Sequence, residues 1–150
     1  MRIQSSDNGI YQFSNETETV NYSRFSKTEM KALLGAGESV CERVDKAHRV
    51  ITYLCEKYDI PVVKVQVLDA NRPVFRNGAE KHGDYTPAMR RIRVWNRTAK
   101  RGNVIAIKTF IDTLLHEFIH HYDIAYLKMG STPHTTGFYK RIADLKGKLL

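Results

Sequence analysis

Val40, Val44, Ala47, Ile51, Leu54 and Tyr58 recur at steps of three and four residues, the spacing that gathers side chains on one face of an α-helix. That stripe predicts a core helix over residues 40 to 58, ended by Pro61. "VVKVQVL", residues 62 to 68, alternates and is rich in valine, so it predicts a strand with one buried face. The segment from 69 to 89 is dense in Asn, Gly, Pro and Asp and reads mostly as loop, with room for a further strand. In "RIRVW", residues 91 to 95, Ile92 and Val94 alternate with Arg91, Arg93 and Trp95, the pattern of a half-exposed edge strand with its positive side chains outward.

Beyond Asn103, placed to cap a helix, Val104, Ile107, Ile111, Leu114, Leu115, Phe118, Tyr122 and Ala125 mark a long helix over 104 to 128. After the loop "MGSTPHTT", Phe138, Ile142, Leu145 and Leu149 mark a last helix over 137 to 149. Upstream, Ser26 and Glu29 have capping-box spacing and open a short helix that ends near Gly35 or Gly37. Residues 1 to 25 are polar and lack a sustained period; they read as a partly ordered arm in which "IYQF" is a short strand or docks late. The expectation is an α+β fold, helices around a small sheet, with the arm at 1 to 25 and one domain at 26 to 150.

A chain of 150 residues with 42% apolar composition suits one ordinary core. No apolar run approaches membrane-spanning length, and "MRIQSSDNGI" has no apolar leader core, so the expected address is cytoplasmic, with no membrane partner. Two cysteines, Cys41 and Cys55, read as small core residues and exclude a zinc ribbon, which needs clustered ligands. The formal charge of +8 and pI near 9.6 make a polyanion such as DNA a candidate partner. The densest basic stretch, "RRIRVWNRTAKR", offers Arg90, Arg91, Arg93, Arg97, Lys100 and Arg101 around Trp95 as candidate contacts to DNA or substrate; a solvated basic face is the competing reading.

The chemistry concentrates in "TLLHEFIHHYD", residues 113 to 123. His116 and His120 are four apart, so a helix stacks them about 5–6 Å apart at Cβ and both imidazoles can reach one ion. Glu117, rotated by about 100°, can reach a water beside that ion without displacing a ligand. A zinc-bound water has a pKa near 7 and a neighbouring carboxylate can take its proton, so Glu117 is the candidate catalytic base and Zn2+ the expected cofactor. A catalytic zinc takes three protein ligands, and His134, after the Gly-Ser-Thr-Pro turn, is the candidate third. Asp144 is its rival. Asp123 is placed to orient a ligand, His121 to sit at the site edge or surface, and His48 and His82 read as structural. Tyr122, Tyr126 and Tyr139 are equal candidates for stabilising an oxyanion.

With His134 fourteen residues after His120 and Phe138 four beyond that, the run "TLLHEFIHHYD … HTTGFYKRI" resembles the SprT-like metalloprotease domain of bacterial SprT and the eukaryotic DNA–protein crosslink protease Spartan. The resemblance covers the layout of residues 40 to 150, its specific residues lying within 113 to 142. It implies a zincin-like fold, a zinc endopeptidase with His116, His120 and His134 as ligands and Glu117 as base, and substrates that are proteins on DNA. Thr135 stands where members often carry glycine. The metzincin pattern fails, because Asp123 and Tyr126 occupy its glycine and third-ligand positions. Two other readings compete: a basic DNA-binding module with a structural or inactive zinc site, and a zinc peptidase whose third ligand is Asp144.

Overall fold

The structure, a computed structural model, describes residues 7–150. In chain order these form α1 (Asp7–Glu16), α2 (Thr28–Leu34), α3 (Val40–Tyr58), β1 (Lys64–Asn71), β2 (Gly83–Thr86), a 3-10 turn (Pro87–Met89), β3 (Arg91–Arg97), α4 (Ile107–Ala125) and α5 (Thr136–Leu149). The mixed α+β character expected from the sequence is present. Ser39 opens α3 by accepting a hydrogen bond from Glu42 N, and Asp59, left-handed at φ 53°, closes it. Thr135 caps α5 in the same way, accepting from Phe138 N. Ser26, by contrast, bonds Thr28 N and not Glu29, so α2 starts without the expected capping box.

The sheet runs β1-β3-β2, with β1 parallel to β3 and β2 antiparallel to it. The basic strand is therefore the central one and not an edge, which corrects the expectation for Arg91–Arg97. Its second partner is β2, where Tyr85 pairs with Ile92 and Asp84 with Arg93. All four β2 residues are half-buried, so its sequence, Gly-Asp-Tyr-Thr, shows no apolar alternation. Val65, Val67, Ile92 and Val94 form the inner face of the sheet and join Ile51 and Leu54 of α3 and Leu114 and Phe118 of α4 in one core.

α4 begins at Ile107, later than expected, and Asn103 does not cap it. Val104 instead bridges to Arg97, and Ile105 N donates to Asn96 O, which extends the sheet's pairing past β3. Apolar residues that look like a first helical turn thus serve as an extended connection. Cys55 is buried as expected, whereas Cys41 is exposed on α3. Among the described residues no helix is long and apolar enough to cross a membrane.

Of the arm expected over 1 to 25, residues 1 to 6 lie outside the described residues, and the remainder differs most from expectation. α1 is a helix that packs on α5, with Ile10 and Ser14 buried; a serine in its core stripe hides the helical period. The chain that follows is pinned along α3, α4 and α5: Val20 N donates to Asp144 Oδ2, Asn21 N to Tyr122 Oη, and Tyr58 Oη to Asn21 O. Close contact with α5 requires Gly137, since a Cβ there would fall 2.5 Å from Asn15 O and closer still to Ser14 O. Gly137→Ala is accordingly expected to lift α1 off α5 and cost about 1–3 kcal/mol. Urea unfolding would measure the loss, and limited proteolysis between residues 16 and 22 should speed up; unchanged values for both would contradict this account of the contact.

Candidate metal centre

His116 and His120 project from successive turns of α4, and the loop after α4 returns His134 to face them. His134 Nε2 lies 3.0 Å from His120 Nε2 and 3.3 Å from His116 Nε2. Zinc–nitrogen bonds of 2.0–2.1 Å meeting at a tetrahedral angle separate two nitrogens by about 3.3 Å, so the two pairs that His134 makes stand close to the spacing of such a polyhedron's edges. They are the cluster among the described residues whose ligand atoms lie close enough together, within 4.8 Å, to hold a metal ion. Imidazole nitrogens suit zinc and other first-row transition metals better than calcium or magnesium.

The electrostatics suit a cation. Burial, together with the neighbouring histidines, pushes His116 down to about 4 and His120 to about 3, so both lone pairs are free of protons at neutral pH. Glu117 lies beside them, its Oε1 3.9 Å from His116 Nε2. Burial, and after it the negative charge of Asp84, raises the Glu117 carboxyl to about 8, with Lys81 opposing. A dication within a few Å would return it to the carboxylate form.

These groups line one wall of an open cleft of about 830 Å3. β2 forms the opposite wall with Gly83 and Tyr85, and Phe75 and Lys81 stand on the turn before it. Gly83 lets β2 approach α4, because a Cβ would fall 2.7 Å from Thr113 Cγ2 and 3.4 Å from Glu117 Cγ. Tyr85 Oη and His121 Nδ1 are 2.7 Å apart, and His121 Nε2 lies 2.7 Å from Pro61 O. Because a carbonyl only accepts, His121 donates through Nε2 and receives the tyrosine proton at Nδ1. His121 is thus buried at 2% exposure, a brace between β2 and α4 and not the edge or surface residue expected.

Behind His120 runs a buried polar chain. His120 Nδ1 is 2.8 Å from Thr132 Oγ1, which donates to Asp123 Oδ2 at 2.9 Å. Arg141 donates to both Asp123 oxygens and, through Nη1, to the carbonyls of Ser14 and Thr17. Asp123 and Arg141 have no solvent exposure, so each depends on the other for its charge.

Other candidates are placed elsewhere. Asp144 accepts from Val20 N and Lys148 Nζ and lies outside the group of three histidines close enough to hold an ion. Tyr122 and Tyr126 hydroxyls are engaged by Asn21; Tyr139 is exposed with its ring 6.1 Å from His116 and 6.0 Å from His134. Within the basic stretch, Arg93 is held by Asp84 and Arg97 by Asp69. Trp95 is 7% exposed beneath Lys81 and Arg93, so it has no open face for a base. Arg91, Lys100 and Arg101 have no acidic partner among the described residues. The sequence reading missed Thr132 and Arg141, and left room for a strand within 69 to 89 without placing β2. Arg141 had left a signal: it sits three residues after Phe138 and four before Leu145, a charge on an apolar stripe, which requires a buried partner.

No family model, curated protein or solved structure matches this chain.

The raised Glu117 carboxyl has a stability consequence in metal-free protein. Folding favours its neutral form, so its contribution is full below the ordinary value of 4.5 and is lost as pH rises through about 8. Glutamine cannot ionise. With chelator present, Glu117→Gln should therefore melt increasingly above wild type, by a few degrees in all, between those two pH values and level off beyond. A melting difference that stays flat across the window would refute the assignment.

Proposed function

We propose that this chain is a zinc-dependent endopeptidase of SprT-like type with a zincin-like fold, holding its metal through His116, His120 and His134. The observation that carries the reading is the convergence of three imidazole nitrogens beside the buried Glu117 carboxyl, on the wall of a cleft open to an edge strand. A structural zinc site is closed by four protein ligands, whereas a hydrolytic one has three and an adjacent base. When bound, zinc would supply a Lewis acid and lower the pKa of water.

The residues divide the remaining work. Glu117 takes a proton from the attacking water and delivers it to the departing amine. β2 is the strand along which a peptide would lie, since its inner edge pairs with β3 and the cleft runs past the other; backbone bonds there would align the scissile carbonyl with Glu117. Tyr139, on the first turn of α5 and facing two of the three histidines, is the tyrosine placed to donate to the oxyanion. DNA-bound proteins as the substrate class rest on the net charge and on Arg91, Lys100 and Arg101, because Arg93, Arg97 and Trp95 are already engaged within the fold.

Elemental analysis after dialysis should find about one zinc per wild-type chain and a sharp loss in His134→Ala. Glu117→Gln should retain the zinc while cleavage of an unfolded protein substrate falls by about 10²–10⁴-fold. Zinc with no Glu117-dependent cleavage, on substrates with and without DNA, would leave a structural metal site on a basic binding module. No zinc even when it is offered would overturn the reading altogether.

A further inference from the structure

Of the three candidate ligands, His120 is the one whose second ring nitrogen meets a protein partner among the described residues. That partner is Thr132, and its proton can be placed by elimination. Asp123 receives three donors: Arg141 Nε at Oδ1, and Arg141 Nη2 and Thr132 Oγ1 at Oδ2. It faces no acceptor within that network, so the ionised form fits it, and an ionised carboxylate only accepts. The single hydroxyl proton of Thr132 therefore points at Asp123, and the oxygen's lone pair is left facing His120 Nδ1 at 2.8 Å. Nδ1 must carry the ring proton, and Nε2, toward His134, is left bare.

We propose that Thr132 and Asp123 are positioning residues that fix the tautomer and ring angle of His120 and so set the affinity of the centre for its metal ion. The proposal rests on the metal-centre reading. The chain carboxylate, hydroxyl, imidazole does through a threonine what a carboxylate bonded directly to a ligand histidine does in many zinc sites. Arg141 holds the far end, anchored by the carbonyls of Ser14 and Thr17 at 2.6 Å each.

Position in the sequence adds a second function. Thr132, His134 and Thr135 lie in "TPHT": the first clamps one ligand, the second is another ligand, and the third caps α5 and meets Ser14 Oγ at 2.8 Å. One short segment thus sets two corners of the nitrogen triangle relative to each other. A slack loop would let His134 leave while His120 stayed; here both are fastened to the same backbone.

Two measurements test the proposal. Zinc affinity, read by competition with a chromophoric chelator, should weaken by about 10–100-fold in Thr132→Val, which keeps the shape and loses both hydrogen bonds, and stay within about threefold of wild type in Thr132→Ser. Nitrogen-15 shifts of metal-free wild type should place the His120 proton on Nδ1; this needs no variant to fold and no activity. Equal affinity in Thr132→Val, a serine variant as weak as the valine one, or a proton on Nε2 would each overturn the relay while leaving the zinc site standing. A wild-type chain that takes no zinc would instead overturn the metal centre itself, and the relay with it.

Discussion

The guanidinium of Arg141, sealed from water, is the joint on which the candidate centre depends. It ties the end of α1 to α5 through the carbonyls of Ser14 and Thr17, and ties α5 to α4 through Asp123. Removing either charge would strand the other in the interior, an arrangement that typically costs several kcal/mol. Five donors in a planar fork meet that demand where lysine could not. The geometry of His120 and His134 follows, since the loop carrying Thr132 and His134 is stretched between these two helices.

How much of this could be read beforehand depended on whether the information was periodic. His116 and His120 were legible because the apolar stripe of α4 fixes the helix and helical spacing then fixes the pair. His134 could be chosen because its loop must return toward α4. A strand within 69 to 89 could be allowed for, but β2 could not be located: its four residues are half-buried on both faces, and its placement comes from Gly83 meeting Thr113 and from the Tyr85–His121 bond, both long-range. The same strand turned Arg91–Arg97 from an edge into a centre. α1 was masked by Ser14, a polar residue buried against a partner more than a hundred positions away. Arg97, Arg93 and Trp95 looked like a free basic surface because Asp69, Asp84 and Lys81 are remote in sequence or hidden in what read as loop.

Around the cleft, burial acts on several titratable groups in one direction, against charge. Two histidines are kept unprotonated and a carboxyl is kept neutral by the same burial. Each shift opposes folding in some range of pH, the histidines' at low pH and that of Glu117 at high pH; a nearby cation would lower the Glu117 carboxyl again and favour the neutral, ligating form of the histidines. Shifts of this kind cluster at functional sites. The aromatic floor adds to the desolvation: the Phe138 ring centroid lies within 5.1 Å of those of all three imidazoles.

The bonds from Arg141 to Ser14 span 127 positions, and this separation bears on when the protein acquires its site during synthesis. At translation speeds of about 5–20 residues per second, α1 waits about 6–25 s before the residue it docks on is made, and longer until that residue clears the ribosome. The α4 histidines are made shortly before Arg141 and lack their clamp until it and the loop before α5 follow. A nascent chain would therefore display the motif helix without a fastened His120 or His134. Assembly of the candidate centre is thus coupled to the synthesis of α5.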